Sequence, residues 1–522
     1  MQQIKKQIKD YTLHNRTELQ LSEEQNEIVD KLLQNNYFFN CSQTGYGKTI
    51  TTITAAVYKY VEILNKENKK ADFIIVCPTI ATGAFRKALN DILGVPFSIY
   101  TAQTKRVNNN ANFHVFNYSS LTQDLVKKKK TVKGQTFVEW EDNLKGRNEY
   151  LSTFINIVEN SEYPVLILDE AHALQDSSSN QYIIMQQLVS VFKIIWAMTA
   201  TPILNDLGGF YNMVNIIIPN YFGNIFRFRN KYLRIENKDI WTYNKRKRKS
   251  EKITVQEVVG TKNQEELRKE FDLISVIKAK QYNLEFIYRE VELSEQDRVL
   301  YKTTADRLNK SKETASAILH DLQRVVSNTL DNTDTNTISN KELQTFKDAV
   351  EIINRDESVL IYFTYLDTLD RVETILKKLQ KDLGIKRISR ITGAVDAKTR
   401  QQISKTLDRR EVVLITSAGT ESIDLQMANN IIFHEIPFPV KEFIQAIGRI
   451  TRVNTIHDIQ RVYLPEAVGT IDTYKRKRIE KNINIIKSVV GGGNTLPIET
   501  IDLYIEDRDT MKDKYLWCRY GF

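Results

Sequence analysis

Short runs of β-branched and aromatic residues recur in the first 200 positions: YFFNC (37–41), FIIVC (73–77), FHVFN (113–117), VLILD (165–169) and IIWAMTA (194–200). Each is almost continuously apolar and is separated from the next by segments of helical period. Such strands, alternating with helices, belong in a parallel sheet covered on both faces. The pattern lapses and then restarts at SVLIYF (358–363), RISRIT (387–392), EVVLIT (411–416), NIIFH (430–434) and RVYLP (461–465). Two such sets predict an α/β chain with two parallel-sheet domains in tandem.

The polar stretches mark the remaining organisation. Residues 236–285 are polar and hold the run Lys245–Lys249, which reads as a basic linker or insertion. Residues 301–350 read as helix interrupted by SNTLDNTDTNTISN, a helical hairpin with a turn-rich tip. The expected division is an arm over 1–16, a first domain over 17–235, the insertion, a second domain over 286–490 with helical residues near 295–350, and a tail over 491–522.

Composition narrows the class. Of 522 residues, 41% are hydrophobic and 27% charged, which excludes wholesale disorder and low-complexity architecture. Lys plus Arg exceeds Asp plus Glu by 74 − 65 = 9, the sign expected where phosphate backbones are met. Cys41, Cys77 and Cys518 lack the spacing of a zinc site or a disulfide framework, so a reducing, cytoplasmic setting is expected. The N-terminal MQQIKKQIKDYTLHN has no apolar core of a signal peptide, and no run of about 18 apolar residues suits a membrane span. Lys- and Asn-rich usage fits a viral or low-GC source.

Chemistry enters after the first strand. Ser42-Gln43-Thr44-Gly45-Tyr46-Gly47-Lys48-Thr49 opens into a helix. A glycine-bearing turn at a strand-to-helix junction aims backbone N–H groups and the positive helix end at a phosphate. Thr44, Gly45 and Gly47 would cradle ATP, Lys48 would reach its β and γ phosphates, and the Thr49 hydroxyl would hold Mg²⁺. Ser42 stands where the strict pattern has glycine. In VLILDEAHAL (165–174) an apolar strand delivers Asp169 and Glu170 to its carboxyl end, where open α/β sheets bind ligands. Asp169 would hold Mg²⁺ and Glu170 would orient and deprotonate the attacking water.

DEAH at 169–172, GxGKT upstream, Thr199-Ala200-Thr201-Pro202 downstream and Gln445-Ala446-Ile447-Gly448-Arg449-Ile450-Thr451-Arg452 near the end together resemble the superfamily two helicases and translocases. The likeness covers about 20–465. TATPILNDLGGFYNMVNIIIP (199–219) and TSAGTESIDLQMANNIIFHEIPFPVKEFIQAIGRITR (416–452) are most similar to the Swi/Snf-type translocases of double-stranded DNA. Ser422, Asp424 and Gly448 depart from that group's pattern. The resemblance implies two RecA-like domains, an adenine-reading role for Gln25, a nucleotide contact for Gln445, and coupling of ATP state to movement through His172, Thr199 and Thr201. His172 has no second His or Cys at ligand spacing.

A helix over 440–453 would bury Val440, Phe443, Ile444, Ile447 and Ile450 and turn Gln445, Gly448, Arg449 and Arg452 to another face. Arg449 and Arg452 are then candidates to stabilise charge on the γ-phosphate, from across a cleft between the domains. Pro78, Thr79, Asn117, Thr364, Thr416 and Ser417 follow strand ends, where hydroxyls and backbone N–H groups can hold phosphates without reading bases. Equivalent loops grip one nucleic-acid strand in the families resembled.

Three basic runs, Lys127–Lys130, Lys245–Lys249 and Lys475–Arg478, suit sequence-independent phosphate contact, or are simply solvated. The expected function is an ATP- and Mg²⁺-dependent nucleic-acid motor, with duplex or branched DNA favoured over RNA as its track. The rival readings are an RNA-directed helicase or transcription-associated motor, and a binding scaffold with a vestigial ATP site.

Overall fold

The computed structural model describes residues 21–490 other than 44, 103–104, 123–126, 133–134, 141–148, 204–206, 245–248, 279–282, 311–314, 328–336, 418–424 and 452–456. The chain forms two compact units that meet in sequence between Lys278 and Ala279.

In the first unit the strands are β1 (Tyr37–Asn40), β2 (Ala71–Cys77), β3 (Phe97–Tyr100), β4 (Lys105–Arg106), β5 (Phe113–Asn117), β6 (Lys127–Val132), β7 (Gln135–Trp140), β8 (Tyr163–Leu168), β9 (Ile194–Met198), β10 (Leu233–Asn244), β11 (Lys249–Thr261) and β12 (Ser275–Val276). Eight of them form one sheet in the order β12-β1-β9-β8-β2-β5-β3-β4. It is parallel except for β4, which runs antiparallel to β3. All five expected strands are present. Phe73, Ile74, Ile75 and Val76 of β2 are each fully buried, as a strand covered on both faces requires. The helix Lys48–Glu67 covers this sheet and stops at Asn68, whose left-handed backbone (φ 53°) lets its N–H reach the Leu64 carbonyl.

Within 236–285 the described residues form more regular structure than their polarity suggests. β10 and β11 pair as a long antiparallel hairpin, and the helix Gln264–Ile274 follows. Leu267, Phe271 and Ile274 form a buried stripe at spacings of four and three, with the Phe271 ring 5.7 Å from that of Phe39. β12 then adds to the sheet beside β1, matching Phe39 with Ser275 and Asn40 with Val276. Three apolar residues among many charged ones suffice to seat this helix.

The second unit has β13 (Asn283–Val291), β14 (Val359–Phe363), β15 (Arg387–Ile391), β16 (Glu411–Thr416), β17 (Asn430–Phe433) and β18 (Ile459–Ala467), in the order β13-β18-β17-β14-β16-β15 and parallel throughout. The helices Glu295–Lys310, Ala315–Ser327 and Asn340–Asn354 occupy the expected helical insertion, and its polar tip falls mainly on 328–336, outside the described residues. Ser339 and Glu342 close a reciprocal capping box on the last of these helices. Glu342 also takes the guanidinium of Arg371 at 2.6 Å, and both side chains are almost wholly buried.

Among the described residues no helix is long and apolar enough to cross a membrane. Cys41 and Cys77 are free and buried, and burial pushes both thiols well above their ordinary range. Cys518 lies outside the described residues.

Candidate nucleotide site and track loops

β1 ends in a polar residue that the run YFFN would not lead one to expect inside a sheet. Asn40 is fully buried, and its amide oxygen accepts the Ser42 N–H at 3.2 Å and the Ser42 hydroxyl at 2.8 Å. Its amide nitrogen faces the Thr51 and Thr52 hydroxyls at 3.3 and 3.4 Å. This explains how serine sits where glycine is usual: Asn40 satisfies its hydroxyl. The signal was available as a lone polar residue closing an apolar strand.

The turn itself requires glycine at two points, since Gly45 and Gly47 have φ of 84° and 85°. A Cβ on Gly47 would lie 2.7 Å from the Gln25 amide nitrogen. Gln25 sits there because its helix, Glu23–Gln34, starts with a capping box: Ser22 donates its N–H to Gln25 Oε1 at 3.0 Å, and its hydroxyl accepts the Gln25 N–H. Gln25 Nε2 donates to the Tyr46 carbonyl at 3.2 Å. The residue expected to read adenine therefore lies against the phosphate turn, clamped from both sides. Thr44 falls outside the described residues.

Lys48 opens the long helix, and its ammonium donates to the carbonyls of Ser42 (2.8 Å) and Gln43 (3.2 Å), folded over the turn. Thr49 follows it in the first helical turn, half-buried.

Asp169 follows β8 directly, and its backbone N–H bonds the Val76 carbonyl of β2 at 2.8 Å. Only 8% exposed, its carboxyl is pushed up to about 7 by burial and by the neighbouring Glu170 charge, with Lys48 pulling the other way. Two adjacent carboxylates, one of them desolvated, offer hard oxygen donors of the kind a divalent cation takes, with Lys48 a neighbouring cation and not a ligand; among the described residues no group of three or more His, Cys, Asp and Glu could hold a metal. Glu170 adopts the left-handed conformation (φ 49°), uncommon for a non-glycine residue, at the position just before the short helix Ala171–Leu174 and without a side-chain capping bond to it.

The third residue group converges here. His172, 5% exposed, places Nδ1 3.1 Å from Glu170 Oε2, 3.1 Å from the Thr199 hydroxyl and 3.3 Å from that of Thr201. Thr199 also accepts the Thr201 N–H at 3.1 Å. Sequence reasoning missed Gln175, whose amide donates to the Pro202 carbonyl at 2.7 Å while its own carbonyl accepts from Asn212 at 2.9 Å. It ties the segment after Asp169 to the one after β9.

The strand-end loops divide. Pro78 and Thr79 are half-buried after β2, and the Thr79 hydroxyl lies 3.2 Å from that of Ser119 after β5. Ser417 is half-buried just after β16. Asn117 does not fit the expectation of a track contact: it is 1% exposed and its amide nitrogen donates to the Cys77 carbonyl and the Thr82 hydroxyl. It holds β2 and β5 together internally. Thr416 is buried too, as the last residue of β16. Thr364 presents no open N–H. The buried Glu435 accepts the N–H groups of Thr364 (2.6 Å) and Tyr365 (3.0 Å) and the Thr368 hydroxyl (3.0 Å), filling the start of the helix Leu366–Leu379. Glu435, a charged residue within an apolar segment, was the unread signal.

The helix expected over 440–453 ends at Ile447. Gly448 caps it, turns follow, and Arg449 is 5% exposed, so it does not lie on an outward helical face. The apolar stripe Val440, Phe443, Ile444, Ile447 and Ile450 is buried as expected, and Gln445 is half-buried. Arg452 lies outside the described residues. In the run Lys475–Arg478, Lys475 is 1% exposed, and the half-buried Arg476 is bonded to Glu466 and Glu480.

Comparison with known proteins bears on this arrangement. The helicase conserved C-terminal domain matches residues 342–454. The uncharacterized ATP-dependent helicase YqhH of Bacillus subtilis (strain 168) is 25% identical over 362 residues, 64% of this chain and 61% of its own length. The DNA repair and recombination protein RAD54-like of Drosophila willistoni is 24% identical over 350 residues, 58% of this chain and 43% of its own. The chain thus spans less than two thirds of the length of either relative. The Sulfolobus solfataricus SWI2/SNF2 ATPase core in complex with dsDNA aligns over 92% of this chain and 95% of its own, at 16% identity and a TM-score of 0.37. The SNF2-related domain matches residues 34–356, well over half of the 522, and the chain belongs to that family.

Proposed function

We propose that the protein is an ATP-driven motor acting on DNA, with duplex DNA as its track. The observation that carries this reading is the position of His172, in contact at once with Glu170 and with Thr199 and Thr201. A residue so placed can transmit a change at the water-activating carboxylate to a different strand end.

The roles follow from the groups present. Lys48 leaves the carbonyls of Ser42 and Gln43 to bind the β and γ phosphates of ATP, which the turn N–H groups cradle. Thr49 and Asp169 would hold Mg²⁺, whose charge offsets that on the phosphates. Glu170 orients and deprotonates water, and its left-handed backbone keeps the carboxylate beside His172. Gln25 and Gln445 contact the nucleotide, and Arg452 supplies guanidinium charge at the γ-phosphate, whereas the buried Arg449 has lost the outward helical face on which that role was expected. Thr79, Pro78 and Ser417 contact the track through its backbone, which suits movement without sequence preference.

The test is ATP turnover measured with duplex DNA, branched DNA, single-stranded DNA and RNA, with Lys48→Ala as the control. Stimulation by duplex DNA is the expected result. Stimulation by RNA alone would replace the DNA reading with an RNA-directed motor, and absence of turnover with every nucleic acid would leave a binding scaffold.

A further inference from the structure

Tyr118 directly follows β5 and opens the short helix Tyr118–Thr122. It is 5% exposed, and its hydroxyl is buried without a hydrogen-bond partner among the described residues. The hydroxyls beside it are occupied: that of Ser119 lies 3.2 Å from that of Thr79, and that of Thr122 donates to the Tyr118 carbonyl at 3.0 Å. A phenol removed from water with nothing to bond is disfavoured relative to phenylalanine, which fills nearly the same space.

The sheet register brings this residue to the paired carboxylates. β2 lies between β5 and β8, with Cys77 matched to Asn117 on one side and Val76 matched to Leu168 on the other. Tyr118 and Asp169 each come one residue beyond those partners, at the same carboxyl edge. Two strand spacings, roughly 10 Å, therefore separate their backbones, a gap that a phenol and a carboxylate can span between them. Burial pushes the phenol well above its ordinary range, and Asp169, Cys77 and Glu170 push in the same direction. At neutral pH it stays a protonated donor among acceptors.

The same short helix reaches the track side of the site. Ser119, the next residue, meets Thr79, which stands among the loop residues assigned to the DNA backbone. A strand held at Thr79 and Ser119 bears directly on the helical turn that carries Tyr118. We propose that Tyr118 is a positioning residue for ATP hydrolysis: when DNA engages Thr79 and Ser119, its hydroxyl donates to the Asp169 carboxylate and fixes that group for turnover. The proposal rests on the DNA-motor reading above. It adds a second route from track to site, separate from the one through His172, Thr199 and Thr201.

The experiment compares the full chain with Tyr118→Phe, which removes the hydroxyl and keeps the ring. It measures the urea midpoint without ligands, kcat and KM for ATP with duplex DNA, and the affinity for duplex DNA with and without Mg²⁺ and the non-hydrolysable analogue AMP-PNP. The Phe variant should keep or raise the urea midpoint, since the hydroxyl it loses has no partner. Its DNA-stimulated kcat should fall at least about tenfold, the size of one hydrogen bond to a charged group, while KM stays within about threefold. The factor by which AMP-PNP alters DNA affinity should move toward one, because coupling between two ligands is a shared free energy. A lowered urea midpoint, a smaller fall in kcat, a KM that rises as much as kcat falls, or an unchanged coupling factor overturns the assignment and leaves Tyr118 a packing residue. Absence of DNA-stimulated turnover in the unaltered chain sinks the motor reading itself, whereas full stimulation in both chains sinks the role of Tyr118 alone.

Discussion

The His172 ring nitrogen and the Thr199 hydroxyl, 27 positions apart in the chain, lie within hydrogen-bond distance at 3.1 Å, inside the first unit. Thr199 serves two partners, since it also accepts the Thr201 N–H. Replacing it by valine keeps the shape and removes both bonds. Thr199→Val should cost about 1–3 kcal/mol in urea unfolding, the price of leaving buried polar groups unmatched. It should also lower the ratio of DNA-stimulated to unstimulated ATP turnover at least about tenfold, with little change in KM for ATP. An unchanged ratio would remove Thr199 from the coupling path.

The phosphate turn and the paired carboxylates should carry turnover itself. Lys48→Ala and Glu170→Gln should each lower phosphate release by at least about two orders of magnitude, because one removes positioning and the other water activation. Arg452→Ala should slow release similarly while leaving equilibrium binding of ATP nearly intact. Near-normal release in that variant would withdraw the role assigned to its guanidinium.

The second unit holds a neutral imidazole. His434 is fully buried, with Nδ1 beside the Thr345 hydroxyl at 2.9 Å and Nε2 beside the Ser327 carbonyl at 3.1 Å. Burial, reinforced by the Lys341 charge and opposed by the Ser327 carbonyl and Asp472, lowers it from 6.5 to about 3. Between those values the unfolded chain binds a proton that the folded chain does not, so stability rises with pH across that window and is lost as the medium is acidified. Urea midpoints should climb from about pH 4 to about pH 6.5. His434→Gln, which can still donate and accept, should flatten the climb; an equally steep curve would show that another group is responsible.

The buried pair Arg371–Glu342 fastens two helices of the second unit, Leu366–Leu379 and Asn340–Asn354. Arg371→Ala strands a buried carboxylate that also caps its own helix, so a loss of about 3–5 kcal/mol is expected in chemical unfolding. Replacing both residues by apolar ones of similar volume should recover much of that loss. A loss below about 1 kcal/mol in the single variant would mean the pair is solvated in solution.

Much of the architecture was legible because strand and helix periodicity is local. The ten expected strands exist within a few residues of their apolar runs, and the glycines of the phosphate turn occupy the left-handed conformation that turn chemistry demands. The candidate residues Lys48, Asp169, Glu170 and His172 were likewise readable, because each is placed by the strand end or helix start beside it. The helix at Gln264–Ile274 was hidden by its charged majority, since three buried residues decide its fate.

What the chain order alone determined is which segments form strands and helices and which side chains stand at their ends. What only the tertiary structure decided is which of those side chains remain available. Asn117 closes β5 and Thr364 follows β14, at strand ends as Thr79 is, yet Thr82 claims the first and Glu435 takes the backbone N–H of the second. The reason is physical: a polar group removed from water must find a partner, and that partner is set by packing between segments far apart in sequence. Local pattern places a group, and long-range contact determines whether it faces inward or toward a ligand.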